Sequence, residues 1–311
     1  MKLKTNLILT LIFVSLAFSG CIGTDGESIL QGSSKISINS SPEDVFPLLS
    51  EQYPINLISD NDEVAGKSRN YDTSEFSIVG SPVEYASVNG IDIGYREFGS
   101  GEPLLIIMPF ATKMDMCNAT FVKQLAESYR VILFDNRGMG YSSDNNESIS
   151  ISLLVDDTAG FMDALGLDSA HIFGSSMGSV IAQELTLAHP AKVNRLILSS
   201  TTYSLNVPQT EKLKNILQYR TFDPDTEPVL RNYAQGNLEW NGTYEHLPEI
   251  QNKVLLLTAS GDVLTPPELS VKFAELVPDA QLIQFEGAGH LGEQYLPEEY
   301  ANEILCFLEA D

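Results

Sequence analysis

Residues Gly174-Ser175-Ser176-Met177-Gly178 read G-x-S-x-G, preceded by the apolar run His171-Ile172-Phe173 and followed by the helical pattern Val180-Ile181-Ala182-Gln183-Glu184-Leu185. Strand, tight turn and helix in that order give the pentapeptide its meaning. Glycines let the backbone turn sharply and lift the central serine hydroxyl clear of a sheet. Ser176 is therefore the candidate nucleophile. A serine hydroxyl needs a base to take its proton, and the base needs a third group to orient it.

The chain has four histidines. His171 starts the strand that leads into the pentapeptide, His189 precedes Pro190 at a helix end, and His246 lies in a polar connection; these read as capping or surface residues. His290 differs, because Glu286-Gly287-Ala288-Gly289-His290 is a glycine-bearing loop directly after the strand-like residues 281–285. It is the candidate base. The acid belongs at the carboxyl end of a buried strand. Lys253-Val254-Leu255-Leu256-Leu257-Thr258-Ala259 is an apolar run of the kind a central parallel strand shows. Asp262 follows it after Ser260 and Gly261 and is the candidate orienting acid.

These residues carry a resemblance to the α/β-hydrolase family, extending from about residue 83 to the C-terminus. The chain order Ser176, Asp262, His290 is the order that family uses. Phe134-Asp135-Asn136-Arg137-Gly138-Met139-Gly140-Tyr141-Ser142 is similar to its D-x-R-G-x-G-x-S turn after the fourth strand. Gly261-Asp262 with Thr265-Pro266-Pro267, and Gly287-Ala288-Gly289-His290, resemble the usual surroundings of its acid and base. The resemblance implies an α/β-hydrolase fold: a mostly parallel central sheet flanked by helices, with a small cap inserted between strands six and seven.

The elements that must position these residues are legible independently. Residues 83–88 and 91–98 alternate around Asn89-Gly90, a strong hairpin signal because both turn residues tolerate positive φ. Residues 104–108 read as a buried strand, 121–128 as a helix and 131–134 as a strand. A helix over about 153–165, the strand and helix around Ser176, a strand at 193–198 and the strand before Asp262 complete the alternation. Strands alternating with helices imply crossover units and a parallel sheet covered on both faces. The site then lies at the carboxyl ends of the strands.

At the end of the third strand, members of the family carry His-Gly, and the next backbone N–H helps hold the oxyanion. Here the sequence is Ile107-Met108-Pro109-Phe110-Ala111. Pro109 has no N–H, so the resemblance points to the amide of Phe110, with Ala111 as the alternative, and to that of Met177 after the nucleophile. Met114-Asp115-Met116 resembles a run found after this strand in a subset of the family; by itself it reads as the start of a surface helix. The cap spans about 201–252, with a helical pattern over 211–219 and breaks at Asp223-Pro224-Asp225 and Glu227-Pro228. Trp240 and Tyr233 within it serve either as packing or as pocket lining.

The N-terminus carries a separate signal. Lys2 and Lys4 precede an apolar stretch over 7–18, of signal-peptide length and short for a bilayer span. Ser19-Gly20-Cys21 then resembles the lipobox of prokaryotic lipoproteins, which implies cleavage before Cys21 and its lipidation; an uncleaved hydrophobic anchor is the alternative. Residues 1–20 are thus read as a signal peptide, 21–81 as a lipid-attached tether and N-terminal segment, and 82–311 as the hydrolase domain. Both anchoring readings place the protein outside the cytoplasm at the cell membrane. The formal charge of −24 opposes binding to nucleic acid or anionic lipid. Cys117 and Cys306 are two thiols that either pair or stay reduced. No paired histidines, Cys-x-x-Cys or Gly-x-Gly-x-x-Gly calls for a metal or dinucleotide, so no cofactor is expected.

The expectation is a membrane-tethered serine hydrolase that cleaves an ester-like bond of a small molecule. Haloperoxidase-like or carbon–carbon bond hydrolysis on the same fold, and a binding protein without catalysis, are the alternatives. Cys21→Ser is expected to abolish metabolic labelling with radioactive palmitate and to alter precursor processing. Unchanged labelling in that variant would remove the anchor.

Overall fold

Asn89 and Gly90 take φ values of 47° and 78°. Two consecutive positive values are what a tight two-residue hairpin loop needs. They join β1 (Glu84–Val88) to β2 (Ile91–Phe98), with Val88 opposite Ile91 in antiparallel register. The computed structural model describes residues 76–310. Within it the chain continues through β3 (Pro103–Ile107), α1 (Ala119–Ala126), β4 (Arg130–Phe134), α2 (Ile151–Ala164), β5 (Ala170–Ser175), α3 (Met177–Ala188) and β6 (Val193–Ser199). Next come α4 (Glu211–Phe222) and α5 (Pro228–Leu238), then β7 (Lys253–Ala259), α6 (Pro267–Leu276), β8 (Ala280–Phe285) and α7 (Pro297–Glu309).

The strands form one sheet in the order β1-β2-β4-β3-β5-β6-β7-β8. β2 is antiparallel to β1 and β4, and all pairings from β4 onward are parallel. Every residue of β5 and all but the first of β7 are buried, as expected for strands covered on both faces. Side chains alternate between two cores. Leu105 and Ile107 join Leu154, Val155 and Ile181 on one face, while Leu104 and Ile106 join Phe121, Tyr300 and Ile304 on the other. Helices α2 and α3 therefore cover one face and α1 and α7 the other. α1 starts where the Asn118 side chain accepts the Thr120 and Phe121 amides, at 2.9 and 3.3 Å.

The D-x-R-G turn after β4 is a structural clamp. Arg137 is fully buried and grips Asp157 of α2 through two bonds of 2.8 Å each, with Asn89 donating to the same carboxylate at 2.9 Å. The hairpin loop, the turn and α2 are thereby tied together. At the start of the described chain, Phe76 packs tilted against Phe98 with ring centroids 5.1 Å apart, and the Ser81 carbonyl accepts the Arg96 guanidinium at 3.0 Å. Residues 1–75, with the expected signal peptide, Cys21 and most of the expected tether, lie outside the described residues. Among the described residues no helix is long and apolar enough to cross a membrane.

Removing one partner of a buried ion pair leaves an uncompensated charge and costs about 3–5 kcal/mol. Asp157→Ala is expected to lower the free energy of unfolding by an amount in that range, read as a fall in the urea midpoint at unchanged m-value. A change below about 1 kcal/mol would show that the clamp contributes little.

Candidate active site

Between β5 and α3 the chain makes the turn that the sequence requires of it. Ser176 sits at φ 51°, ψ −119°, a combination costly for a residue with a Cβ. Two close approaches enforce it. A Cβ on Gly174 would lie 2.3 Å from the Gly178 carbonyl oxygen, and one on Gly178 would lie 2.1 Å from that of Ile107. Only glycine lets α3 start this near β5 and the end of β3. The Ser176 amide donates to the Ser199 carbonyl at 3.0 Å, which ties the turn to the end of β6.

The three residues singled out from the sequence meet at this point. His290 Nε2 lies 2.9 Å from Ser176 Oγ, and His290 Nδ1 lies 2.9 Å from Asp262 Oδ2 and 3.1 Å from Oδ1. The distances place each within hydrogen-bond reach. Asp262 is held in turn by the Leu264 and Thr265 amides on Oδ1, at 3.0 and 2.9 Å, and by the Thr265 hydroxyl on Oδ2 at 2.8 Å. The loop bearing His290 is fastened at both flanks. Gly261 N donates to the Ala288 carbonyl at 3.0 Å, and Leu291 N donates to the Ser200 hydroxyl at 3.1 Å.

Asp262 and His290 are buried and Ser176 is partly exposed, so the relay leads from the interior to an accessible hydroxyl. Burial alone would raise the Asp262 carboxyl. The His290 ring and the Thr265 donors overcome it and hold the acid below its ordinary range. For His290 burial works downward, and the Asp262 charge and hydrogen bond, with a contribution from Glu293, outweigh it and raise the imidazole above its usual value.

The segment expected to hold the first oxyanion donor follows β3. Thr112 closes a turn onto the Pro109 carbonyl through its hydroxyl at 2.9 Å, and Ala111 takes φ 59°. Met177 is the first residue of α3, so its amide belongs to the helical turn that has no intrahelical acceptor. Asp135, at the end of β4, accepts the Met114 amide at 2.7 Å and the Tyr141 amide at 2.8 Å, fixing both neighbouring turns. Met114–Met116 is a short 3-10 helix, yet the expected surface helix is corrected in one respect: Met114 is buried and Asp115 pairs with the buried Arg96 guanidinium. Tyr141 Oη donates to the same carboxylate at 3.0 Å. Asp115 is an anchor for this segment.

Tyr233 and Trp240, open to a pocket role from sequence alone, are both buried. Tyr233 Oη donates to the Arg137 carbonyl at 2.8 Å and Trp240 Nε1 to Glu184 at 2.7 Å, so each ring packs with its polar atom partnered. A groove of about 640 Å³, lined by Tyr203, Val207, Tyr244, Val271 and Lys272 among others, takes no side chain from the triad. His171 is not a surface residue as expected; it is buried against Tyr129 and bonds Glu102 at 3.0 Å. Cys117 and Cys306 are not joined by a disulfide. Ser199 carries no motif of its own; Asp135 and Thr265 lie in quoted motifs but were given no role, although the D-x-x-T spacing of Asp262 and Thr265 is a side-chain-to-backbone turn visible in sequence.

Comparison with known proteins places residues 102–243 in a family model described as alpha/beta hydrolase fold and residues 231–301 in one described as TAP-like protein. A Mycobacterium tuberculosis protein provisionally named a non-heme bromoperoxidase is 28% identical, over 70% of this chain and 97% of that one. The dihydrolipoyllysine-residue acetyltransferase component of the acetoin cleaving system from Cupriavidus necator is 31% identical, over 73% of this chain and 68% of its own. Among solved structures, a thermophilic esterase from Thermogutta terrifontis superposes with a TM-score of 0.65 at 22% identity, covering 73% of this chain and 98% of that one.

A base must be neutral to accept a proton, and the raised His290 pKa means protonation sets in above its ordinary ~6.5. The acid limb of kcat/KM on an ester is therefore expected to have its midpoint above about 6.5. A midpoint clearly below that value would mean that burial outweighs Asp262.

Proposed function

Since the chain belongs to the alpha/beta hydrolase family and is a hydrolase, we propose that it cleaves an ester-like bond of a small molecule through an acyl-enzyme on Ser176. The observation that carries this reading is the unbroken Ser176–His290–Asp262 relay, with both links at 2.9 Å. In the mechanism, Ser176 Oγ attacks the substrate carbonyl carbon while its proton passes to His290 Nε2. Asp262 keeps the ring oriented and stabilises the imidazolium. The Phe110 and Met177 amides donate to the oxyanion; each such donor contributes ~2.7–4 kcal/mol to the transition state. Collapse breaks the bond to the leaving alcohol, which takes the proton from His290. Water, deprotonated by His290, then attacks the acyl carbon, and Ser176 regains its proton as the acid leaves.

Residues 201–252, which carry α4 and α5, form the cap over this site, and their packing sets which acyl and alcohol groups enter. The N-terminal segment tethers the enzyme to the membrane through a lipid on Cys21, in keeping with the lipobox-like Ser19-Gly20-Cys21. With its strong negative charge the protein stands off anionic lipid headgroups, so attachment rests on the lipid and not on the hydrolase surface.

The test is a panel of p-nitrophenyl esters of increasing acyl length. Turnover is expected, with Ser176→Ala lowering kcat by on the order of 10⁴–10⁶-fold. Turnover that survives Ser176→Ala would contradict the mechanism. Halide-dependent oxidation exceeding ester hydrolysis would favour the activity named for the mycobacterial relative.

A further inference from the structure

One buried ionisable group at this site takes no part in the relay. Glu293 lies in the 3-10 turn Gly292–Gln294, three residues after His290, and is 3% exposed. A carboxyl that deep is costly unless partnered. Glu293 Oε2 accepts the Ser199 hydroxyl at 2.9 Å. Ser199 is also the residue whose carbonyl holds the Ser176 amide at 3.0 Å. One residue therefore links the carboxyl to the backbone of the nucleophile. Ser175, opposite Ser199 in the β5–β6 register, brings its hydroxyl near enough to steady the carboxylate without a hydrogen bond of ordinary geometry.

The titratable groups facing Glu293 come from four places. They are His290 on its own loop, Tyr295 just beyond it, Tyr300 on α7, and Cys117 after the Met114–Met116 turn. Burial pushes the Cys117 thiol up to about 12 and raises both tyrosines, so these three stay neutral at working pH. Of the group only His290 can become positive. Burial outweighs its serine and backbone donors and His290 and leaves the Glu293 carboxyl above its ordinary value. Asp262 faces His290 from the other turn and is already ionised.

We propose that Glu293 is a positioning residue for acyl transfer: through Ser199 it props the turn that carries Ser176, and its negative charge joins that of Asp262 in stabilising the His290 imidazolium. This rests on the serine-hydrolase reading above. A carboxylate that acts only as a prop could be replaced by its amide without consequence for proton transfer. One that also supplies charge could not.

Glu293→Gln keeps the size and an acceptor for Ser199 and removes the charge. Its acid limb in kcat/KM is expected to move down by about half a unit or more, with kcat reduced several-fold and KM little changed. The pH dependence of covalent labelling by a fluorophosphonate should shift in parallel. A limb that stays in place overturns the proposal, whatever happens to kcat. If Glu293→Gln does not fold, Ser199→Ala cuts the link while leaving the carboxyl; labelling and kcat should both slow at unchanged KM, and wild-type values for both overturn the proposal. Wild-type enzyme that the fluorophosphonate does not label at Ser176 would instead sink the hydrolase reading. Wild type labelled at Ser176, with variants indistinguishable from it, would sink only the role of Glu293.

Discussion

The site depends on one backbone conformation, that of Ser176 at φ 51°, ψ −119°. Such a conformation costs of order 1–3 kcal/mol and persists only where its surroundings over-determine it. Here they do so from three sides. Gly174 and Gly178 admit backbone where any side chain would collide, and the Ser199 carbonyl takes the Ser176 amide. The end of β6 is thus a shared support: Ser199 holds the nucleophile, and the next residue, Ser200, holds the loop of the base through Leu291. Relative placement of Ser176 and His290 is set by two adjacent residues, the last of central strand β6 and the one after it. That economy explains why a relay built from residues 114 positions apart closes at 2.9 Å.

A second network fixes the segment after β3. Asp135 receives amides from both the Met114 and Tyr141 turns, and Arg96 pairs with Asp115 beneath them. Buried charges of this kind are weak sources of net stability because desolvation offsets the Coulomb gain. Their effect is to select one arrangement of a loop that has no regular hydrogen-bonding partner strand. For a segment expected to present the Phe110 amide to an oxyanion, definition matters more than stability: a donor displaced from its mark loses most of its contribution.

Much of this was legible in the sequence, and the division follows range. Asn89-Gly90 dictated its own hairpin turn, and the run before Asp262 is β7 with the same bounds. Ser176, His290 and Asp262 were readable because each sits in a short local pattern whose meaning does not depend on distant residues. Contacts between distant residues were not readable. Asp115 looked like a surface residue because its partner Arg96 lies in another element, and Tyr233 stayed between packing and pocket lining because its acceptor, the Arg137 carbonyl, is 96 positions away. Glu293 had no pattern at all; only the folded turn brings it under Ser199. His171 read as a surface residue because its strand position alone does not say that Tyr129 covers it.

The central claim is that Ser176 carries the acyl group between two half-reactions, with His290 moving the proton in each. Acid-quenching the enzyme within the first turnovers on a p-nitrophenyl ester, followed by mass spectrometry of the intact protein and its peptides, tests this most directly. The account predicts one acyl group per chain, located on Ser176, present in wild type and missing after His290→Ala. Turnover with no covalent species on Ser176, or the same acylation with His290 removed, would contradict it.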